Sequence, residues 1–183
     1  MKTSVKALAV ASVLLFSGAA QAQSFGAGYA QGYPQGYVGA DAMAWNLNVE
    51  GVDSDFDSVG LRLVAGIKLD EYLAVEFHGA TGGSDDVYGL DLELDYLIGG
   101  FLKGIVPLGN NARLFGLLGY SEVKLTASGF GLNESGRDDD ISFGAGAEVD
   151  VTDTLAISAD ITRYMSSSDY DLDAYSIGLR YRF

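Results

Sequence analysis

The 183-residue sequence has no cysteine, two prolines, one histidine and one tryptophan. Without cysteine it can form no disulfide framework, thiol nucleophile or thiolate metal site. Its eleven Lys and Arg face 25 Asp and Glu, for a formal net charge of −14, so the basic face that nucleic acid requires is missing and a nucleic-acid partner is excluded. Long apolar runs are missing too. A membrane-spanning helix needs roughly 20 apolar residues, and the best internal candidate, Tyr96–Val106, is interrupted by Gly99, Gly100, Lys103 and Gly104. What is plentiful is apolar residue (48%), 25 glycines, 11 tyrosines and 9 phenylalanines, a composition that packs rather than stays disordered.

The first 22 residues have the plan of a secretory signal peptide. Lys2 and Lys6 supply the basic start, Ala7–Phe16 the short apolar core, and Ala20-Gln21-Ala22 the small-residue cleavage pattern. Residues 23–36, rich in Gly, Tyr and Gln, read as a flexible lead-in. Residues 37–183 then form one domain of a size that supports a single core.

That domain alternates with period two. Tyr175, Ile177, Leu179, Tyr181 and Phe183 share one face, while Ser176, Gly178, Arg180 and Arg182 share the other; only a strand sorts residues this way. Similar alternation covers Val59–Leu69, Leu73–His78, Tyr88–Tyr96, Ile141–Asp150 and Leu155–Thr162. Strands are also expected over 37–49 and 112–126, but their facing stays open. In the first, Met43-Trp45-Leu47 competes with Val38-Ala40-Ala42-Ala44; in the second, Leu114-Leu118-Tyr120 competes with Phe115-Leu117-Val123-Leu125. Short turns at Asp70-Glu71, Pro107–Asn111 and Val151–Asp153 alternate with polar loops at 50–58, 82–86, 127–140 and 166–171. Eight strands connected in this way predict an all-β, antiparallel up-and-down barrel, whose closure removes sheet edges.

The charges decide which face meets which solvent. Arg62, Lys68, Glu76, His78, Glu93, Asp95, Glu148, Asp160, Arg180 and Arg182 stand opposite apolar faces within strands, the pattern of a transmembrane barrel with a lipid-facing apolar band and a polar lumen. Those residues are expected to pair as a lumen charge network, because an unpaired buried charge is costly. Tyr37, Trp45, Tyr72, Tyr88, Tyr96, Tyr120, Tyr164, Tyr175, Tyr181 and Phe183 near strand ends suggest interfacial aromatic girdles. Eight strands enclose a cylinder scarcely wider than its own side chains, so a wide pore is excluded.

The stretches YVGADA at 37–42, AGIKLDEYLAVE at 65–76 and AYSIGLRYRF at 174–183 resemble the small outer-membrane β-barrel family of Gram-negative bacteria that includes the OmpA transmembrane domain and the opacity-type proteins. The resemblance implies an outer-membrane location, with outer-membrane lipids and lipopolysaccharide as surroundings. It also implies both termini and the short turns in the periplasm, and the four loops outside the cell. Tyr175, Ile177, Leu179, Tyr181 and Phe183 resemble the final-strand signal that the barrel-assembly machinery reads.

Chemistry has little purchase on this sequence. His78, the one histidine, has Glu76 on its own face but no serine near it there, and His78-Gly79-Ala80 departs from the H-x-S arrangement of serine-using outer-membrane lipid hydrolases. It reads as an interior polar residue, not a catalytic one. Asp53, Asp55 and Asp57 start like a calcium loop, but Ser58 and Val64 stand where a turn glycine and a bidentate glutamate belong. With Asp138, Asp139 and Asp140 they make solvated acidic loops that could attract weak divalent cations; no cofactor is implied. The four loops carry twelve acidic residues against Arg137 alone, which disfavours polyanion binding. The expected role is structural or surface-interacting. A narrow, weakly cation-preferring channel is the alternative, and a lipid-modifying enzyme stands third.

Overall fold

The computed structural model describes residues 32–49, 56–82, 84–87, 90–129, 132–166 and 170–183. The expected signal peptide, most of the lead-in, Tyr88, Asp53 and Asp55 lie outside these residues. The strands are β1 (Gln35–Val49), β2 (Phe56–Lys68), β3 (Leu73–Gly82), β4 (Ser84–Val87), β5 (Leu90–Leu108), β6 (Ala112–Gly129), β7 (Leu132–Asp150), β8 (Leu155–Ser166) and β9 (Tyr170–Arg182). All pairings are antiparallel, and β1 closes the cylinder against both β2 and β9. Both β3 and β4 pair with β5, so they are two stretches of one stave, and the sheet is a closed eight-stranded barrel. Among the described residues no helix is long and apolar enough to cross a membrane; the crossing is made by strands.

One end of the barrel is finished by tight turns that close for local reasons. Asp70 Oδ1 accepts hydrogen bonds from the Tyr72 and Leu73 amides at 2.7 and 2.8 Å. Gly109 takes φ +72°, open to glycine at little cost, between β5 and β6. Thr152 Oγ1 accepts from the Leu155 amide at 3.0 Å. At the same end β1 begins at Gln35, inside the expected lead-in, because the Gly36 carbonyl accepts the Phe183 amide at 3.0 Å and ties the two chain ends together.

At the other end the loops are shorter than the sequence suggests. The β6–β7 ladder runs without a break from Ala112 opposite Val149 to Gly129 opposite Leu132. Asp138, Asp139 and Asp140 therefore belong to strand β7 and not to a loop. Likewise residues 84–87 are strand β4, and β2 starts at Phe56 within the expected first loop. Polar composition resembles a loop when both faces of a strand end meet water; ladder hydrogen bonds need no apolar side chain.

The barrel is closed only over part of its height. Among the described residues β2 pairs with β3 no higher than Gly60 opposite Gly82, and β7 pairs with β8 no higher than Phe143 opposite Arg163. Beyond those points the ladders among the described residues form two walls, β4–β5–β6–β7 and β8–β9–β1–β2. Their facing sides hold Leu94, Leu97 and Val123 from the first wall and Trp45, Leu47, Met165 and Leu172 from the second, all nearly inaccessible.

Over the closed part, the outward residues Val59, Leu61, Leu63, Leu102, Leu118, Ile161, Ile177 and Leu179 are each about half exposed or more. Eight residue steps from Tyr175 to Phe183, at about 3.3 Å each and tilted about 40°, give an apolar band roughly 20 Å tall, close to the hydrocarbon band of outer-membrane barrels. The girdle needs correction. Tyr72, Tyr120, Tyr175, Tyr181 and Phe183 do face outward at the band edges, but Tyr37, Trp45 and Tyr164 are buried inside the cylinder. Tyr37 and Tyr164 find hydroxyl partners there, which residue type at a strand end does not reveal.

Candidate functional site

The lumen is the first candidate site, and its charges were not all visible from alternation. Arg62, Glu76, His78, Glu148, Asp160, Arg180 and Arg182 are buried inside the barrel, and Lys68 is half-buried at the end of β2. The Glu93 side chain lies outside the described side chains. Asp41, Tyr37, Lys103, Arg113, Tyr164 and Asp150 complete the arrangement, though none was singled out from sequence as part of a lumen network.

Two clusters join through His78. In the first, Arg62 donates from Nε to Asp41 Oδ2 at 2.7 Å and from Nη1 to Asp160 Oδ2 at 3.0 Å, and it also bonds Asp160 through Nη2. Arg180 forms a bidentate pair with Asp41, and Thr162 donates to Asp160 at 2.9 Å. Gly178 keeps this wall thin: a Cβ there would lie 2.1 Å from Asp41 Oδ1. In the second cluster Lys103 bridges Glu76, at 2.8 Å, and Glu148. Tyr37 donates to Glu76 at 2.7 Å, and Arg113 ties Glu148 at 2.6 Å to Asp150, which Arg182 also reaches at 2.7 Å.

Tyr164 and His78 form the bridge. The Tyr164 hydroxyl accepts from Arg62 Nη1 at 3.0 Å and lies 2.9 Å from His78 Nδ1; His78 Nε2 lies 3.1 Å from Glu76 Oε2. A guanidinium can only donate. The arrangement that satisfies every atom therefore has Tyr164 donating to Nδ1 and a neutral imidazole donating from Nε2 to Glu76. Both ring nitrogens are committed to the network, and the ring stacks on Phe101 with centroids 4.4 Å apart.

The remaining inner surface is apolar. Phe101, Ile105, Phe115 and Leu117 line β5 and β6, and Lys103 Nζ sits 4.0 Å from the Phe115 ring centre. This corrects the expectation of a charge-filled lumen: five carboxylates (Asp41, Glu76, Glu148, Asp150, Asp160) and five bases (Arg62, Lys103, Arg113, Arg180, Arg182) share it with a greasy wall. It also resolves the two strands whose facing was open. Met43-Trp45-Leu47 and Phe115-Leu117-Val123 point inward. One signal could have shown this: each strand carries a single deep charge, Asp41 or Arg113, whose inward parity fixes its neighbours.

A second candidate site is the outer surface of the two walls. Above the apolar band, outward positions turn polar and paired. Lys124 bonds Asp95, which also accepts from Thr126 at 3.0 Å; the Lys124 hydrogen bond holds the Asp95 carboxyl below its ordinary value. Asp95 thus sits outside, opposite to its expected parity, because β5 carries a bulge between Leu94 and Tyr96 that turns Leu94 inward. Arg137 lies 3.3 Å from Glu122, and Arg163 holds Asp173 through two bonds of 2.7 Å and Asp171 at 3.0 Å. Lys124 and Arg163 therefore join Arg137 as bases at this end, each tied to a carboxylate. Among the described residues no group of three or more His, Asp or Glu side chains gathers to hold a metal ion.

Residues 8–183 match the family model described as outer membrane protein beta-barrel domain, and the chain belongs to that family. Solved structures share its fold. Ail, the attachment invasion locus protein of Yersinia pestis, is 19% identical with a TM-score of 0.65, covering 82% of this chain and 99% of its own; a second Ail structure holds the heparin analogue sucrose octasulfate. Neisserial surface protein A is 16% identical with a TM-score of 0.65, covering 81% and 97%. The N-terminal β-barrel domain of Pseudomonas aeruginosa OprF is 14% identical with a TM-score of 0.55, covering 79% and 97%. No curated protein matches the chain.

Proposed function

We propose that this member of the outer-membrane β-barrel family is a closed anchor, exported on residues 1–22 and inserted through its Tyr175–Phe183 signal. It holds a rigid acidic surface outside the cell for contact with other molecules. The observation that carries the reading is the filled lumen. From Arg182 and Arg113 at the turn end, through Lys103 and His78, to Arg62 and then the apolar core around Trp45, every level is occupied by side chains that bond or pack against one another. A conducting path would require several of these pairs to part at once, each leaving a buried charge at a cost of several kcal/mol.

The same geometry weighs against catalysis, because both His78 nitrogens are engaged and its surroundings are closed. It weighs against polyanions as well. The Ail structure with sucrose octasulfate concerns that protein; here the excess of carboxylates on the outer walls would repel such a ligand unless divalent cations intervened. Planar-bilayer recording of the refolded protein tests the reading directly. We expect no unitary conductance steps. Reproducible discrete steps would replace the anchor with the narrow channel.

A further inference from the structure

The charges of the lumen balance around Arg62 and do not balance at the turn end. In the first cluster two bases, Arg62 and Arg180, meet two carboxylates, Asp41 and Asp160. Toward the tight turns four bases, Lys68, Lys103, Arg113 and Arg182, stand with three carboxylates, Glu76, Glu148 and Asp150. His78, between the clusters, is neutral. One positive charge is left over.

The surplus has a location. Lys103, Arg113 and Arg182 each hold a carboxylate, whereas Lys68, half-buried where β2 ends, has none within 4.0 Å among the described residues. Partial burial is the largest cost on its charge. Of the charged neighbours, Arg113, Arg182 and Lys103 repel it while Glu148 attracts it. Arg182 also has more donors than acceptors. It shares Asp150 with Arg113, and its Nε–H is buried without a partner in a side chain whose residue is 7% exposed. An ammonium without a counter-charge and a buried donor without an acceptor both favour a nearby anion.

The neighbouring segments do not supply one. Residues 23–36, which lead into β1 at this end, contain no Asp or Glu. Asp70, Glu71 and Asp153 in the turns are exposed and make no ion pair with Lys68, Arg113 or Arg182. Asp70 is turned instead onto the Tyr72 and Leu73 amides. The three bases reach the mouth from three staves, β2, β6 and β9. A planar carboxylate presents two oxygens to such a ring, as Asp150 does to Arg113 and Arg182, whereas a phosphate presents oxygens in more directions.

We propose that the turn-end mouth of the lumen is a binding site for a phosphate group, contacted by Lys68 and held in the field of Arg113 and Arg182. A free phosphate ion and the headgroup of a lipid in the surrounding leaflet carry this same chemistry. The site lies at the opposite end from the acidic walls and does not depend on what those walls contact.

The test uses the full protein refolded in a phosphate-free maltoside detergent and, in parallel, in phosphatidylglycerol nanodiscs. Inorganic phosphate is titrated against chloride at equal ionic strength, and the Arg182 Nε–H resonance is followed by NMR. In detergent we expect a saturable shift with phosphate and none with chloride, whose screening is the same. Lys68→Gln should keep the heat-dependent gel mobility of the folded barrel and weaken phosphate binding about tenfold, as loss of one charge-assisted contact would. Lys124→Gln, at the far end, should leave binding unchanged. If a lipid headgroup is the source, the resonance in nanodiscs already stands at its phosphate-saturated position; if the free ion is, it titrates there as in detergent. No saturable shift in detergent, an equal shift with chloride, or undiminished binding by Lys68→Gln would each overturn the proposal. Conductance in bilayers would instead overturn the closed-anchor reading and leave this one standing.

Discussion

Strand β9 passes through two solvents without changing its geometry, and its two halves make a direct comparison. In the half farther from the tight turns, Asp171 and Asp173 point outward while Leu172 and Ala174 are buried inward. In the membrane half the same outward row becomes Tyr175, Ile177, Leu179, Tyr181 and Phe183, and the same inward row becomes Ser176, Gly178, Arg180 and Arg182. No bulge separates these halves on the β1 side. The strand period fixes which residues share a face, and the surroundings fix which face must be apolar. The upper walls resemble a water-soluble sandwich on top of a barrel built for lipid.

The comparison breaks most readily inside the membrane half. Arg62, with 0% exposure, neutralises Asp41 and Asp160. Arg62→Met should cost about 3–5 kcal/mol, because two carboxylates lose a buried partner. Urea unfolding in lipid vesicles, followed by tryptophan fluorescence, measures this. A loss below about 1 kcal/mol would mean that water reaches this level of the lumen.

The lipid boundary gives the next largest effect. Ile177→Lys places a charge on the outward face of β9 within the apolar band and should destabilise by about 2–4 kcal/mol. Thr126→Lys, on the outward face of β6 where Thr126 donates to Asp95 Oδ2 at 3.0 Å, should change stability by less than about 1 kcal/mol. Equal costs at the two positions would place both in the same solvent.

These two solvents also explain what was legible in the sequence. Strands with a wholly apolar face opposite a charged one, such as Val59–Leu69 and Tyr175–Phe183, could be assigned and oriented from alternation. So could the short turns, the eight-stranded topology and the closeness of Glu76 to His78 on one face. Strands β1 and β6 hid their facing because Met43, Trp45, Leu47, Phe115 and Leu117 make the inside as apolar as the outside. Lys103 was passed over because it interrupts a greasy run, and it is the residue that joins Glu76 to Glu148. Bulges at Leu94/Tyr96 and Arg163/Met165 shift parity with no marker in composition. The acidic stretch 138–140 looked like a loop because nothing in its composition records that β6 supplies a ladder.

The apolar core between the walls provides a third contrast. Val123→Ala removes two methyl carbons from a site 2% exposed beside Leu94 and Leu97 and should cost about 1–3 kcal/mol. That cost should appear locally: amide exchange should accelerate above the Gly60–Gly82 and Phe143–Arg163 closures before it changes at Arg180 or Lys103. Uniform acceleration along the strands would show that walls and barrel open as one cooperative unit.

The smallest effect carries the sharpest test of where water begins. Lys124 and Asp95 are partly exposed and bonded to each other on the outer face of the wall. In water such a pair contributes less than about 1 kcal/mol and is screened by salt, so Lys124→Ala should barely move the unfolding midpoint. If the wall instead lay against hydrocarbon, the orphaned Asp95 would behave like Asp41 without Arg62, and the loss would reach several kcal/mol with no response to salt. The ratio of the Arg62→Met and Lys124→Ala costs therefore measures the change of solvent along the barrel, with both ion pairs held in the same protein.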